Sequence, residues 1–375
     1  MKTWLRLMPF VLAMLLISVA ASPVPLQAGD SSIPPTQTVK LIFIHHSTGS
    51  NWLADGYGNL GQTLGQNNYF VSDTNYGWGS TGIGDSTDIP HWIEWFASSH
   101  TPTYMNELFN ESGTHSSYTR TLADPGGENQ VVMFKSCYPN SALGGNPGDP
   151  AGDHAAMTVA GAKYVYNTIL DYFGSRPDKM FVVITAPPLR DGTYAANARA
   201  FNLWLVNDWL TDYTLNNVFV FDFYNVLTHP NAHHRFTLGA VEHTFTIGQN
   251  TLSYPTGDDH PSAAGSQKAT DEFVPLLNVF YHRWKQNAPV AQPTLISPSP
   301  RYTTDSNPIT FDWNSVPGAG RYEIVFADDS GFAQNLDPHT DLMDPTFGLS
   351  FVDGRHYWKV RAYNAVGDPG PWSAS

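Results

Sequence analysis

KLIFIHHSTGSNWL, residues 40–53, is the stretch on which the reading of the fold turns. Residues 41–44 are an apolar run of β-favouring side chains, which predicts a buried strand. The run stops at His45-His46-Ser47-Thr48-Gly49, polar residues and a glycine suited to a tight strand-to-loop turn. A serine at the end of the first strand of an α/β sheet lies at the edge where such folds bind ligands. Serine is also a preferred helix N-cap, so this stretch alone leaves cap and nucleophile both open for Ser47.

Working outward, apolar runs at 69–74, 131–134, 181–185 and 218–223 predict four more strands. Helical spacing joins Val159, Ala162, Tyr166, Ile169 and Tyr172 within 155–173, and Ala198, Phe201, Leu205 and Trp209 within 194–210. Further helices are expected at 90–97, at 101–110 and from about 263 to 283. Strands alternating with helices argue for a parallel sheet covered on both faces. The segment HWIEWF at 91–96 reads as a core helix with one tryptophan at a cleft rim. Residues 225–255 read as irregular. Their histidines (His229, His233, His234, His243) match no zinc spacing such as HExxH, so solvated loop histidines are expected, with no metal and no cofactor.

The pattern changes beyond a Pro-rich linker at 288–300. Short alternating runs at 309–313, 321–327 and 356–363, separated by Gly, Pro, Asp and Asn, predict a small all-β sandwich over 301–375. One more strand is expected where the sequence stops at Ser375, so the reading there is of a domain truncated at its C-terminus or of a short last strand.

Composition narrows the function. Lys plus Arg number 19 against 33 Asp plus Glu, a formal charge of −14. Nucleic acid and anionic membrane surfaces both call for a basic face and are not expected partners. A basic start (Lys2, Arg6), a short apolar core and Val19-Ala20-Ala21 read as a signal peptide over 1–21. A flexible leader at 22–38 and a catalytic domain at 39–287 follow, in a secreted, bacterial-looking protein with no membrane span after signal removal. Cys137 is the single cysteine, so no intrachain disulfide forms.

The proposed strands end in Ser47, in Asn75-Tyr76-Gly77-Trp78-Gly79 and in the loop holding Asn140. His260 arrives from the start of the last helix. One sheet edge would then gather a hydroxyl nucleophile, a base and donors for an oxyanion, the parts acyl transfer needs. Each has a plainer alternative: a turn for Gly79 and Asn140, an ordinary helix-start histidine for His260. His45 and His46 read as scaffold or rim residues and Cys137 as an inert thiol.

The blocks IFIHHSTGSNWL, NYGWG, VVMFKSCYPNS and GDDHPSAAG, in this order across about residues 39–284, resemble those of the SGNH (GDSL-like) hydrolase superfamily. The resemblance implies a flavodoxin-like three-layer α/β/α fold and ester hydrolysis, usually deacylation of carbohydrates or lipids. It makes Ser47 the nucleophile and His260 the general base. The oxyanion hole would be Ser47 N–H, Asn140 Nδ2 and Gly79 N–H, with Gly77 as second choice. The pattern departs in three places. His45-His46 replaces the usual Gly-Asp before the serine, Ser141 the Asp after the asparagine, and Gly257 the acid three residues before the histidine. Asp258 is the better placed substitute acid and Asp259 the other; a backbone carbonyl orienting a Ser–His dyad also stays open.

The runs FDWNSVPGA, YEI and YWKVRA resemble a fibronectin type III-like domain, which implies a spacer or a contact with a cell surface or polysaccharide. The expected function is a secreted serine esterase acting on an acylated carbohydrate or other small ester. The alternatives are a non-catalytic extracellular glycan-binding protein on the same fold, and a metal-dependent hydrolase using the histidine-rich loop.

Overall fold

Five apolar runs pair side by side, all parallel: β1 (Val39–Ile44), β2 (Tyr69–Thr74), β3 (Val131–Lys135), β4 (Met180–Ile184) and β5 (Val218–Phe221). They lie in the order β2-β1-β3-β4-β5. The structure is a computed structural model describing residues 30–287, 290–365, 367 and 369–375; the signal peptide expected at 1–21 lies outside the described residues. Every residue of β1 to β4 is buried, as in a parallel sheet covered on both faces.

The two-residue period of a strand assigns those faces. Leu41 and Phe43 point into a core shared with α1 (Thr48–Leu53), α2 (Leu60–Gln66), α7 (Phe223–Thr228) and α8 (Ala263–Asn287). Ile42 and Ile44 point the other way, toward α3 (Trp92–Phe96), α4 (Thr101–Asn110), α5 (Val159–Ser175) and α6 (Ala195–Asn207). The register sets Ile44 opposite both Thr74 and Phe134, so the loops after β1, β2 and β3 leave the sheet at one height. The chain reverses direction across the sheet at β1, and the crevice between β1 and β3 opens where their following loops part.

Several expectations are corrected. Residues 225–244 hold the end of a helix and a hairpin, while 245–255 carry neither helix nor strand, as expected. Asp222 caps α7 by accepting the Asn225 N–H at 3.0 Å, and β6 (His233–Thr237) pairs with β7 (Ala240–Thr244) in a hairpin. Its turn, Leu238-Gly239, has φ of 51° and 79°, and a leucine there hides the usual Asn-Gly hairpin signal. The leader is tied to α8 from Asp30 on, where Asp30 pairs with Arg283 at 2.7 Å and Asn278 donates to Ser32 O. Neither tryptophan of 91–96 reaches a rim: Trp92 and Trp95 are fully buried, and their indole N–H groups donate to Ser136 Oγ and Ser86 O.

The second unit has two antiparallel sheets of three strands. One holds β11 (Asp337–Leu342), β10 (Ala319–Ala327) and β13 (Tyr357–Asn364); the other holds β12 (Thr346–Leu349), β9 (Ile309–Trp313) and β8 (Leu295–Ser297). Its core is built on Trp313, Ile324, Phe326 and Val360. β8 falls in the segment expected to be a linker. Where one more strand is expected, residues 369–373 run beside β13: Pro369 bridges Tyr363, and the Gly370 and Ser373 N–H groups donate to Ala362 O and Val360 O. No helix among the described residues is long and apolar enough to cross a membrane.

Candidate active site

Ser47 stands at the N-cap position of α1 but does not cap it. Its side chain makes no hydrogen bond to the helix; its Oγ lies 2.6 Å from His260 Nε2. The backbone at Ser47 has φ 34° and ψ −89°, a conformation rarely adopted by a non-glycine residue and costing about 1–3 kcal/mol. Strain of this kind persists where surrounding structure enforces it, and here that structure is the pair of histidines before the serine.

His45 is completely buried. Its Nε2 donates to Asp73 Oδ2 at 3.2 Å, and burial holds the ring below the ordinary imidazole range, so it is neutral. A Cβ on Gly49 would fall 2.5 Å from the His45 ring, so only glycine lets the α1 turn close over it. His46 donates from Nε2 to Gly84 O and accepts the Thr87 hydroxyl at Nδ1, 2.9 Å away; burial keeps it neutral too. His46 engages both ring nitrogens and His45 its Nε2 inside the fold, which fits the scaffold reading, while His45 Nδ1 has no hydrogen-bond partner among the described residues. The exposed ring of Tyr76 stacks on His46, centroids 4.0 Å apart.

His260 is fixed from both sides. Asp258 brackets His260 Nδ1 with oxygens at 2.9 and 3.0 Å, and accepts the His260 backbone N–H at 2.9 Å and the Thr256 hydroxyl at 2.9 Å. These bonds, the backbone one first, hold the Asp258 carboxyl down at about 2. Asp259 turns away and accepts the Arg190 N–H, leaving Asp258 as the carboxylate on the imidazole. Tyr57 donates to Pro261 O at 2.7 Å, and the Tyr138 ring meets His260 edge-on at 5.0 Å. With Asp258 on Nδ1–H, Nε2 is the acceptor facing the Ser47 hydroxyl, the tautomer a general base requires.

Asn140 is buried in the turn after β3 (Tyr138–Ser141). Its Oδ1 accepts the Ile89 N–H at 2.7 Å, and one Nδ2 hydrogen goes to Asp88 Oδ1 at 2.6 Å, leaving the second hydrogen without an acceptor among the described residues. Among the described residues the N–H groups of Ser47 and Gly79 likewise have no protein acceptor. Gly77 N–H is taken by Asp85 at 2.8 Å, which removes the second-choice glycine. Gly79 has φ 84°, packs on Ile83 and lines a cleft of about 540 Å³ with Glu107, Glu111 and His115. No hydrogen bond among the described residues joins it to Ser47.

Three of the four loop histidines are paired inside the fold rather than solvated, while half-buried His229 accepts the Asn231 N–H at 3.1 Å. His243 meets Asp222 at 2.9 Å, His234 accepts the Asp222 N–H, and His233 meets Glu272 at 2.7 Å. Among the described residues no group of three or more His, Cys, Asp or Glu side chains is placed to hold a metal. The motif reading missed Tyr76, Tyr138 and Asp88. Tyr76 sits inside NYGWG, where the glycines drew the attention.

No family model matches the chain, and no curated protein matches it. Similar solved structures include a family two carbohydrate esterase from Cellvibrio japonicus, 13% identical, covering 67% of this chain and 63% of that one at TM-score 0.32. A family two carbohydrate esterase from Clostridium thermocellum in complex with cellohexaose is 16% identical, covers 65% of each chain and has TM-score 0.31. A Fn3-like protein from Clostridium thermocellum is 18% identical and covers 23% of this chain and 83% of that one, at TM-score 0.18.

Proposed function

We propose that this chain is a secreted serine esterase of the SGNH type, on a flavodoxin-like fold, that removes acyl groups from a carbohydrate. The observation that carries the reading is the Ser47–His260–Asp258 relay at the open edge of the parallel sheet. His260 Nε2 takes the Ser47 proton as Oγ attacks the acyl carbonyl. The oxyanion is received by Ser47 N–H and the spare Asn140 Nδ2 hydrogen, with Gly79 N–H as third donor by its place in the second block. The imidazolium returns the proton to the leaving alcohol, and water, activated by the same nitrogen, then cleaves the acyl-enzyme. The test is turnover of a simple acetyl ester together with labelling of Ser47 by a fluorophosphonate. Glycan affinity with neither would make the chain a binding protein instead.

Asp258 orients His260 from an exposed position, its side chain 60% accessible, so solvent screens the pair. Asp258→Asn should therefore lower kcat by roughly 10- to 100-fold, less than the ~10⁴-fold seen where such an acid is buried. A group whose folded pKa is depressed gives its contribution above its unfolded value, ~3.9, and loses it as pH falls through the folded one, here about 2. The carboxylate thus stays ionised across the neutral and mildly acidic range, and the acid limb of the wild-type kcat/KM profile should not follow Asp258. An unchanged kcat in Asp258→Asn would return the orienting role to a backbone carbonyl.

For the alcohol side we place a neutral sugar ring on Tyr76, which is 66% exposed and held flat by His46. Glu107 and Glu111 in the adjoining cleft, with the charge of −14, disfavour polyanionic chains. Tyr76→Ala should raise KM for an acetylated neutral xylo-oligosaccharide roughly tenfold, about 1.4 kcal/mol. A KM that rises no more on the oligosaccharide than on ethyl acetate would remove the platform.

A further inference from the structure

Lys135 ends β3 and is completely buried. Its Nζ donates to Thr48 Oγ1, one residue beyond the nucleophile, and to Ser136 O at 3.1 Å. Of the three other buried lysines, Lys40 meets Asp124 at 3.2 Å and Lys179 meets Glu128 at 2.7 Å, while Lys163, the least buried, donates to Asp149 O at 2.7 Å. Lys135 has no carboxylate within ion-pair distance among the described residues. A lysine buried without a counter-ion is costly, and nothing in the hydrophobic packing of the sheet calls for one at this position. The ionisable groups facing it are His45 and His46 from the turn before α1 and Cys137 from its own loop; Asp73 lies beyond His45 as that ring's partner. Both histidines are neutral, and Thr48 Oγ1 also lies 3.6 Å from Cys137 Sγ. Among the described residues the ammonium is therefore the one cation set beneath the turn that carries Ser47.

We propose that Lys135 is a positioning residue for ester hydrolysis: through Thr48 it fixes the Ser47 turn, and its positive charge favours the oxyanion that forms at the Ser47 N–H. The proposal rests on the reading of Ser47 as the nucleophile. It uses general electrostatics: a fixed charge in a water-poor site acts far more strongly than in solvent and needs no reorganisation as the reaction proceeds. Burial pulls the Lys135 ammonium down to about 8. The charged form holds below that value and is lost above it, so the lysine-dependent part of activity is full below about pH 8 and falls as pH rises through it.

The experiment compares wild type, Ser47→Ala, Lys135→Met, Thr48→Val and Cys137→Ser on an acetyl ester from pH 6 to 10, with a melting curve for each. Lys135→Met is expected to lose on the order of 10- to 100-fold in kcat at pH 7 while its melting temperature holds or rises, because an unpaired buried charge has been removed. A lysine with a merely structural role would lower both. Wild type is expected to lose activity through about pH 8. Lys135→Met should lack that limb, Cys137→Ser should keep it, and Thr48→Val should show a smaller loss of kcat. The proposal is overturned if Lys135→Met keeps wild-type kcat, if the limb persists in it, or if Cys137→Ser abolishes the limb. Should Lys135→Met fail to fold, the wild-type limb, its survival in Cys137→Ser and the Thr48→Val loss decide; absence of any of the three overturns it. Turnover surviving in Ser47→Ala would sink the nucleophile assignment instead, a result separate from intact turnover in Lys135→Met.

Discussion

Ser47→Ala is expected to lower kcat for a simple acetyl ester by about 10⁴- to 10⁶-fold and to abolish fluorophosphonate labelling. That corresponds to roughly 5–8 kcal/mol of transition-state stabilisation. His260→Ala should cost about as much, and the double variant no more than either, because nucleophile and base act as one unit. Stability should barely move. The substitution removes a single hydrogen bond to a partly exposed histidine, 22% accessible at its side chain, and leaves the Ser47 backbone conformation in place. A protein that folds normally but no longer turns over separates chemistry from architecture. If either single variant kept wild-type turnover, the relay would be a structural hydrogen bond and the esterase reading would fall.

The sheet was legible because a parallel sheet covered on both faces needs unbroken apolar runs. LIFI, VVMF and FVVI could hardly be anything else in a chain with helical spacing between them. The hairpin of β6 and β7 was not legible because leucine, at Leu238, stands in a left-handed turn position where asparagine or glycine would announce the turn. β11 was missed for another reason: it is mostly exposed and contains Asp337 and Pro338, so it lacks the inward face that marks a strand. In the site, block order located Ser47, Asn140 and His260, but spacing could not decide between Asp258 and Asp259. Which carboxylate turns back depends on the local bonds from Thr256 and Arg190. The paired histidines became intelligible only with their partners: Asp73, Gly84 and Thr87 lie at distances in sequence that no local motif spans.

Asn140→Ala is expected to lower kcat by about 10²- to 10³-fold, the usual consequence of removing one side-chain donor from an oxyanion hole. The loss should appear in kcat rather than KM, because the amide gains its full value only when charge develops on the carbonyl oxygen. A second effect comes from burial. Asn140 is 1% exposed and its Oδ1 receives the Ile89 N–H. Truncation leaves that N–H without a partner, a cost of about 1–3 kcal/mol. Activity therefore has to be read on the folded fraction. Asn140→Asp resolves the two contributions. Its carboxylate can still accept from Ile89, but it loses the donor and faces Asp88, the present acceptor of Asn140 Nδ2. Two carboxylates at that separation repel or share a proton, and a negative charge beside the hole opposes the oxyanion. Asn140→Asp should thus match or exceed the kcat loss of Asn140→Ala near neutral pH and regain part of it as acid protonates the pair. A folded Asn140→Ala retaining kcat within about fivefold of wild type would leave the asparagine as a brace for the Asp88–Ile89 turn and place the oxyanion donors in the backbone alone.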